Sequence, residues 1–261
     1  MQYSPPSWNC NPGIFRVAQN QFLSHERYAL MPLILLPNLI DPEQPLAEAF
    51  PPITQTWVQK LDGLIAESDK EARRFLRRFI SHEAMQRVRL EALNEHTREI
   101  QPLLGPIQRG ETWGLISDAG LPCIADPGSK LVELAHQHNV PVIAVVGPSS
   151  IILALQLSGF SGQQFAFHGY LPKDKDERIK KLLLLEKLSF GAAQLWIETP
   201  YRTSAMAEEL VQVLKLKTRL CIASRLGSPV PFVVSKSVNE WKKGSAKVDN
   251  NPSIFLIYND L

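Results

Sequence analysis

The residues best placed for chemistry lie in one stretch, Ser117-Asp118-Ala119-Gly120-Leu121-Pro122-Cys123-Ile124-Ala125-Asp126-Pro127-Gly128. It follows an apolar run, Trp113-Gly114-Leu115-Ile116, that reads as a buried strand. It precedes a helical pattern at Leu131, Val132, Leu134 and Ala135. Strand-to-helix connections usually take about 2–6 residues. This one is longer, stiffened by two prolines and opened by two glycines. At the carboxyl end of a parallel strand, such a loop stands where α/β sheets bind ligands. The spacing therefore points to a held small molecule. Asp126, with Pro127 behind it, reads as the N-cap of the following helix.

Other chemistries find no support. The chain has no Gly-x-Gly-x-x-Gly or Walker phosphate loop. His136 and His138 stand two apart on a helical pattern and so point apart, as surface residues. His82-Glu83 lacks the second histidine of a zinc protease, and Ser149-Ser150 lack the glycines of a nucleophile elbow. Cys10, Cys123 and Cys221 have no metal-ligand spacing. No metal site is expected. Three scattered cysteines also argue against a disulfide framework and for a reducing compartment.

The elements that position the loop follow from length and pattern. At 261 residues the chain makes one large domain or two small ones, and 44% hydrophobic with 21% charged residues fits a substantial core. No apolar run approaches the roughly 18 residues that span a bilayer. The start, Met1-Gln2-Tyr3-Ser4-Pro5-Pro6, lacks the pattern of a signal peptide. A net charge of +2 is too small to imply nucleic acid, so any basic surface must be local. Residues 1–30 carry little periodicity. They read either as a tail before a functional start at Met31 or as an extra packed element.

Strands are expected at Leu33–Leu36, Gly63–Glu67, Trp113–Ile116 and Val140–Val146, alternating with helices. The intervening helices include Leu46–Phe50, Ile53–Leu61, a helix opened by the capping-box pattern Ser68-Asp69-Lys70-Glu71, a helical stretch from His82 to Leu93, and Ile151–Leu157 capped by Ser149. That alternation predicts a parallel sheet covered on both faces. Arg73, Arg74, Arg77 and Arg78 surround Phe75, Leu76 and Phe79, as a solvated helix face or as a phosphate-contacting patch. Beyond about residue 160 the pattern changes. Strands at Phe165–Tyr170, Gln194–Thr199, Leu220–Ser224, Phe232–Lys236 and Ser253–Tyr258, with helices at Ile179–Leu188 and Ser204–Leu214, suggest a mixed sheet in a second domain.

Read together, three stretches resemble a known family, ribosomal RNA small-subunit methyltransferase I. Ser117–Gly128 is similar to its Ser-Asp-Ala-Gly-x-Pro-x-Ile-x-Asp-Pro-Gly signature, and Gly147-Pro148-Ser149-Ser150 to its Pro-Gly-Pro-Ser turn. Gly169-Tyr170-Leu171-Pro172-Lys173, with Arg178 beyond, resembles its Gly-Phe-Leu-Pro-Arg segment. Weaker matches are Glu198-Thr199-Pro200-Tyr201-Arg202 and Asn94-Glu95-His96. The resemblance runs from about Leu33 to Tyr258. It implies an α/β, two-domain tetrapyrrole-methylase-like fold, with a parallel-sheet N-terminal domain over 31–160 and a mixed-sheet C-terminal domain over 161–261.

The family implies a cytoplasmic homodimer, without a membrane segment, that methylates the ribose 2′-hydroxyl of a cytidine in small-subunit ribosomal RNA. Its methyl donor is S-adenosylmethionine, and its partner is that RNA or the ribosomal subunit. Carried over by motif, the cofactor loop is Asp118, Ala119, Gly120, Leu121 and Pro122. Pro148, Ser149 and Ser150 form a second wall, and Ile197 and Ala223 close the pocket. Methyl transfer to oxygen also needs removal of a proton. Glu198 and His96 are candidate bases, against a salt bridge to Arg202 for the first and a solvated loop position for the second. Lys173, Lys175, Arg178, Arg73 and Arg77 are candidate substrate contacts.

Three departures bear on the substrate. Pro37-Asn38-Leu39-Ile40-Asp41 stands where the family has Pro-Thr-Pro-Ile-Gly-Asn. Glu67-Ser68-Asp69-Lys70 replaces Glu-Asp-Thr-Arg, and Arg225-Leu226-Gly227 has lost the glutamate of Arg-Glu-Leu. Two other functions therefore remain open: a methyltransferase of the same class acting on a tetrapyrrole or a protein residue, and a non-catalytic S-adenosylmethionine-binding paralogue.

Overall fold

In the computed structural model, the structure describes residues 31–244, 248 and 250–260. The readings for residues 1–30, Cys10 included, lie outside the described residues. Strands β1 (Leu33–Leu35), β2 (Gly63–Ala66), β3 (Arg89–Ala92), β4 (Trp113–Leu115) and β5 (Val142–Ala144) form one sheet in the order β3-β2-β4-β1-β5. Every pairing in it is parallel. Period-two alternation gives each face its own core. Ile34 and Leu64 pack with Val58, Phe75, Leu76 and Met85 on one side. Leu33, Ile65 and Leu115 pack with Leu104, Ile107, Leu131 and Ala135 on the other.

The covering helices are α1 (Leu46–Ala49), α2 (Pro52–Val58), α3 (Asp69–Leu76), α4 (His82–Met85), α5 (Gln101–Gln108) and α6 (Ser129–Gln137). The sheet has five strands where four were expected. The stretch read as helical through Leu93 stops after one turn, and Arg89–Ala92 pairs with β2 instead. The pattern there is polar because β3 is an exposed edge strand, and its conformation comes from the neighbouring strand rather than from propensity. The expected capping box is half realised. Ser68 Oγ accepts from Glu71 N at 3.3 Å, but the Glu71 carboxylate pairs with Arg74.

A second sheet contains β6 (Phe165–Tyr170), β7 (Ala193–Glu198), β8 (Arg219–Ser224), β9 (Phe232–Ser237) and β10 (Ser253–Tyr258), in the order β6-β7-β10-β8-β9. The β6–β7 pair is parallel and the other pairs are antiparallel, so the sheet is mixed. One face packs Trp196, Ile222 and Phe255 against α8 (Lys175–Leu188), α9 (Pro200–Val213) and α10 (Val238–Lys243). Trp196 and Phe255 stack with centroids 5.8 Å apart. The other face packs Leu195, Ala223 and Leu256 against α7 (Ser150–Ser158). Helix α8 starts at Lys175 rather than Ile179, because Asp174 caps it by accepting from Glu177 N at 2.9 Å. Helix α9 starts earlier than Ser204, at Pro200 in the first turn, where a missing N–H costs nothing.

The strand order fixes where a ligand can sit. Neighbouring strands β1 and β4 send the chain to opposite sides, toward β2 and toward β5. Their carboxyl ends therefore flank a crevice at a topological switch point. The turn after β5 closes on the same place, since a β-carbon at Gly147 would overlap the Pro37 ring at the end of β1.

Candidate functional site

A cleft of about 430 Å³ opens at that crevice, within the range of small-molecule sites. Its floor is the loop after β4, from Asp118 to Leu121 and again from Ile124 to Asp126. The loop after β1 contributes Ile40 and Asp41, and the start of α7 contributes Ser149 and Ser150. The opposite wall comes from the second sheet, through Phe167, Tyr170, Ile197, Ala223 and Arg225.

The loop's path explains its length. Gly120 (φ 71°), Cys123 (φ 71°), Ala125 (φ 65°) and Gly128 (φ 127°) all adopt left-handed backbone. For the two non-glycine residues this costs about 1–2 kcal/mol each, strain of the kind that collects at binding loops. At Gly120 a β-carbon would press on Ile40 Cγ2 at 3.3 Å and the Pro148 carbonyl at 3.6 Å. The missing side chain thus lets the loop lie flat against both neighbouring turns. Asn38 fastens the loop to β1: its N–H donates to the Gly120 carbonyl at 2.7 Å, and its side-chain amide donates to the Ser117 and Asp118 carbonyls.

Carboxylates dominate the site. Asp41, Asp118 and Asp126 are wall residues, and Glu67, at the carboxyl end of β2, stands behind Asp118 and accepts from its N–H at 3.4 Å. Burial, with the Asp126 and Asp118 charges, lifts the Glu67 carboxyl to about 7. Burial and the Asp118 charge lift Asp126 to about 6, against the pull of the Ser117 hydroxyl. Burial also raises Asp118, although the Ser68 hydroxyl donates to its Oδ1 at 3.3 Å. Tyr170 is held above its ordinary value by burial and then by Asp126 and Glu198. Acids crowded in this way are relieved by a bound cation. Ile40, Phe167 and Ile197 add apolar surface against which a flat ring can lie.

Of the residues expected at the site, Asp118, Ala119, Gly120, Leu121, Ser149, Ser150, Ile197 and Ala223 come together on the wall. Pro122 is buried behind it, and Pro148 backs Gly120. Asp126 corrects its expected role. The N-cap of α6 is Gly128, without a side-chain cap, and Asp126 faces the cleft instead. Glu198, 1% exposed, accepts from Thr199 and pairs with Arg202 at 3.1 Å, off the wall. His96 is an exposed loop residue 3.6 Å from Glu95. Arg178 is committed to a two-pronged pair with Glu209 at 2.6 and 3.1 Å and to the Pro172 and Lys173 carbonyls. Arg73 pairs with Asp69, while Arg77, Lys173 and Lys175 are exposed.

Glu67, Asp41 and Asn38 belong to segments expected at the substrate side or rim of the pocket, but none of the three was assigned a role of its own. Their position was the available signal: each lies at or just beyond the carboxyl end of β1 or β2, beside the strand that carries the loop. Among the described residues, no group of three or more His, Cys, Asp or Glu side chains is arranged to hold a metal ion. No described helix is long and apolar enough to cross a membrane.

No protein-family model matches the chain. Among curated proteins it is similar to ribosomal RNA small subunit methyltransferase I of Vibrio cholerae, 34% identical over 161 residues, covering 61% of this chain and 55% of that one. The protein of the same name from Mesorhizobium japonicum is 34% identical over 163 residues, with coverages of 62% and 52%. That of Thermotoga maritima is 29% identical over 157 residues, with coverages of 60% and 68%. The chain spans little more than half the length of the first two. Among solved structures it is similar to the methyltransferase CobJ, with TM-score 0.54 and 15% identity over 81% of this chain and 88% of that one. It is also similar to uroporphyrin-III-C-methyltransferase from Thermus thermophilus, with TM-score 0.50 and 14% identity over 88% and 92%. The curated relatives carry the family name that the motifs suggested, and the solved structures share the expected two-sheet α/β fold.

Proposed function

We propose that this chain is an S-adenosylmethionine-dependent methyltransferase whose acceptor is a ribose 2′-hydroxyl of a cytidine in small-subunit ribosomal RNA. One observation carries the donor half of the reading. The cleft at the switch point pairs a flat glycine loop with carboxylates that gain from a cation. S-adenosylmethionine presents a sulfonium, an ammonium and a purine, and when bound it supplies an activated methyl group. The residues present fit it. Asp118 and Asp126 favour its positive charge, the segment from Asp118 to Leu121 lines the cleft, and Ile40 and Ile197 offer apolar surface. The curated relatives' name supports the acceptor half.

Oxygen methylation releases a proton. Asp126, held near 6 on the wall, has the affinity to receive one near neutral pH. Glu198 and His96 receive no such role, because the first is paired and the second stands outside the cleft. Exposed Arg77, Lys173 and Lys175 remain available to backbone phosphates; Arg178 is a structural residue. The sequence pattern placed the domain boundary near residue 160; the packing of α7 on the second sheet supports an earlier division, at the Gly147 turn, with the cleft between the two parts. A homodimer acting in the cytosol completes the reading, and sedimentation velocity tests the dimer. Calorimetric titration with S-adenosylmethionine tests the donor half, and the absence of binding would remove it.

A further inference from the structure

Asn38 does more than fill a turn. It is 1% exposed, and both donors and both acceptor sites of its amide are used. Nδ2 donates to the Ser117 carbonyl at 3.0 Å and to the Asp118 carbonyl at 3.1 Å. Oδ1 accepts from Leu39 N at 2.9 Å and from Arg78 Nη1 at 2.9 Å. With its own N–H on Gly120, one residue grips three carbonyls of the ligand loop. The motif that this segment resembles has threonine here, whose single hydroxyl donor cannot bridge two carbonyls.

Arg78 sets the orientation of that amide. An asparagine can turn its oxygen and nitrogen end for end, and the turned amide would present oxygen to two carbonyl oxygens. A cation's N–H on Oδ1 excludes that orientation. Arg78 follows α3, with its N–H on the Phe75 carbonyl. Burial, with Arg74 nearby, lowers its pKa, partly countered by Glu71. Arg73 and Arg74 are held by Asp69 and Glu71 on the helix itself. Of the four arginines on this segment, Arg78 is the one that bonds to Asn38.

We infer that Asn38, oriented by Arg78, is the positioning residue of the ligand loop, so that a residue of the basic α3 segment tunes how tightly the cleft holds its ligand. The inference rests on the proposed donor site for its ligand arm only. The loop's rigidity is measurable without ligand.

The test compares Arg78→Met, Arg78→Lys and Asn38→Thr with the wild-type chain. Hydrogen–deuterium exchange is read without ligand over residues 36–42 and 116–122, with β8 and β10 as internal controls. Calorimetry with S-adenosylmethionine provides the second readout. Arg78→Met should speed exchange in both segments, leave the control strands unchanged, and weaken binding roughly fivefold, about the value of one ordinary hydrogen bond. Arg78→Lys, which keeps a cationic donor, should restore affinity to within about twofold. Asn38→Thr should act like Arg78→Met or more strongly. Wild-type exchange and affinity in Arg78→Met and Asn38→Thr would overturn the inference. If the wild-type chain bound no S-adenosylmethionine, the donor reading would fall, and the exchange data alone would decide the role of Asn38.

Discussion

The crowded carboxylates make ligand affinity and protein stability respond to pH in opposite directions. Glu67 and Asp126 have folded-state values of about 7 and about 6, above their ordinary 4.5 and 3.8. The folded state therefore binds the extra protons. The stability these groups contribute is present at acid pH and is lost as pH rises through 6 and 7. A cationic ligand has the reverse preference, because it favours the ionised carboxylates. At pH 6, Glu67 is roughly one-tenth ionised and Asp126 about half; at pH 8 both are about nine-tenths ionised or more. If the cation required both charges, affinity would rise roughly twentyfold over that interval. Both groups keep partial contact with water, which screens the coupling, so about fivefold is the expected lower end.

Calorimetry at pH 6, 7 and 8, in two buffers of different ionisation enthalpy, gives the affinity and the protons released. The ligand's own amine titrates near 8. S-adenosylhomocysteine, which keeps the amine and lacks the sulfonium, is therefore the control. The affinity ratio of the two ligands should grow with pH, with net proton release at pH 6 and 7, and Glu67→Gln should flatten the upper part of the curve. A ratio that stayed constant or fell, or proton uptake on binding at pH 6 or 7, would refute the reasoning.

Asp118→Ala should weaken S-adenosylmethionine binding well beyond its effect on folding; intact affinity in a folded variant would remove Asp118 from the site. Arg178→Ala leaves the mostly buried Glu209 without its fork partner and should cost roughly 2–4 kcal/mol in urea unfolding. A loss of RNA affinity at unchanged stability would instead return Arg178 to the substrate contacts. Gly147→Ala forces a β-carbon into the Pro37 ring and should cost about 1–3 kcal/mol, with a fall in ligand affinity as the turn moves. A variant as stable as wild type would contradict the close approach of the two turns.

What the sequence disclosed was what local pattern can encode. The apolar runs of β1, β2 and β4 and the oversized loop after β4 were legible from spacing. The Ser149 cap was legible from residue type, and the structure shows its hydroxyl accepting from Ile152 N. What was hidden depends on partners far along the chain. Glu67 reads as the residue before a helix cap until the fold brings Asp118, 51 positions away, against it. Asp126 carries the local signature of an N-cap, yet folding turns it into the cleft. Arg178 looks like a phosphate ligand until Glu209, 31 positions on, is seen to hold it. The polar strand β3 has no apolar alternation to announce it, because its place at the sheet edge leaves both faces largely exposed.

Methyl transfer to the ribose of small-subunit RNA, the activity proposed for this chain, leaves a chemical mark on that RNA. Mass mapping of 2′-O-methyl groups in that RNA, from a strain lacking this chain and from its parent, tests it most directly. One 2′-O-methylcytidine should be lost in the deletion strain and return when the chain is supplied again. A complete set of 2′-O-methyl groups in the deletion strain would contradict it.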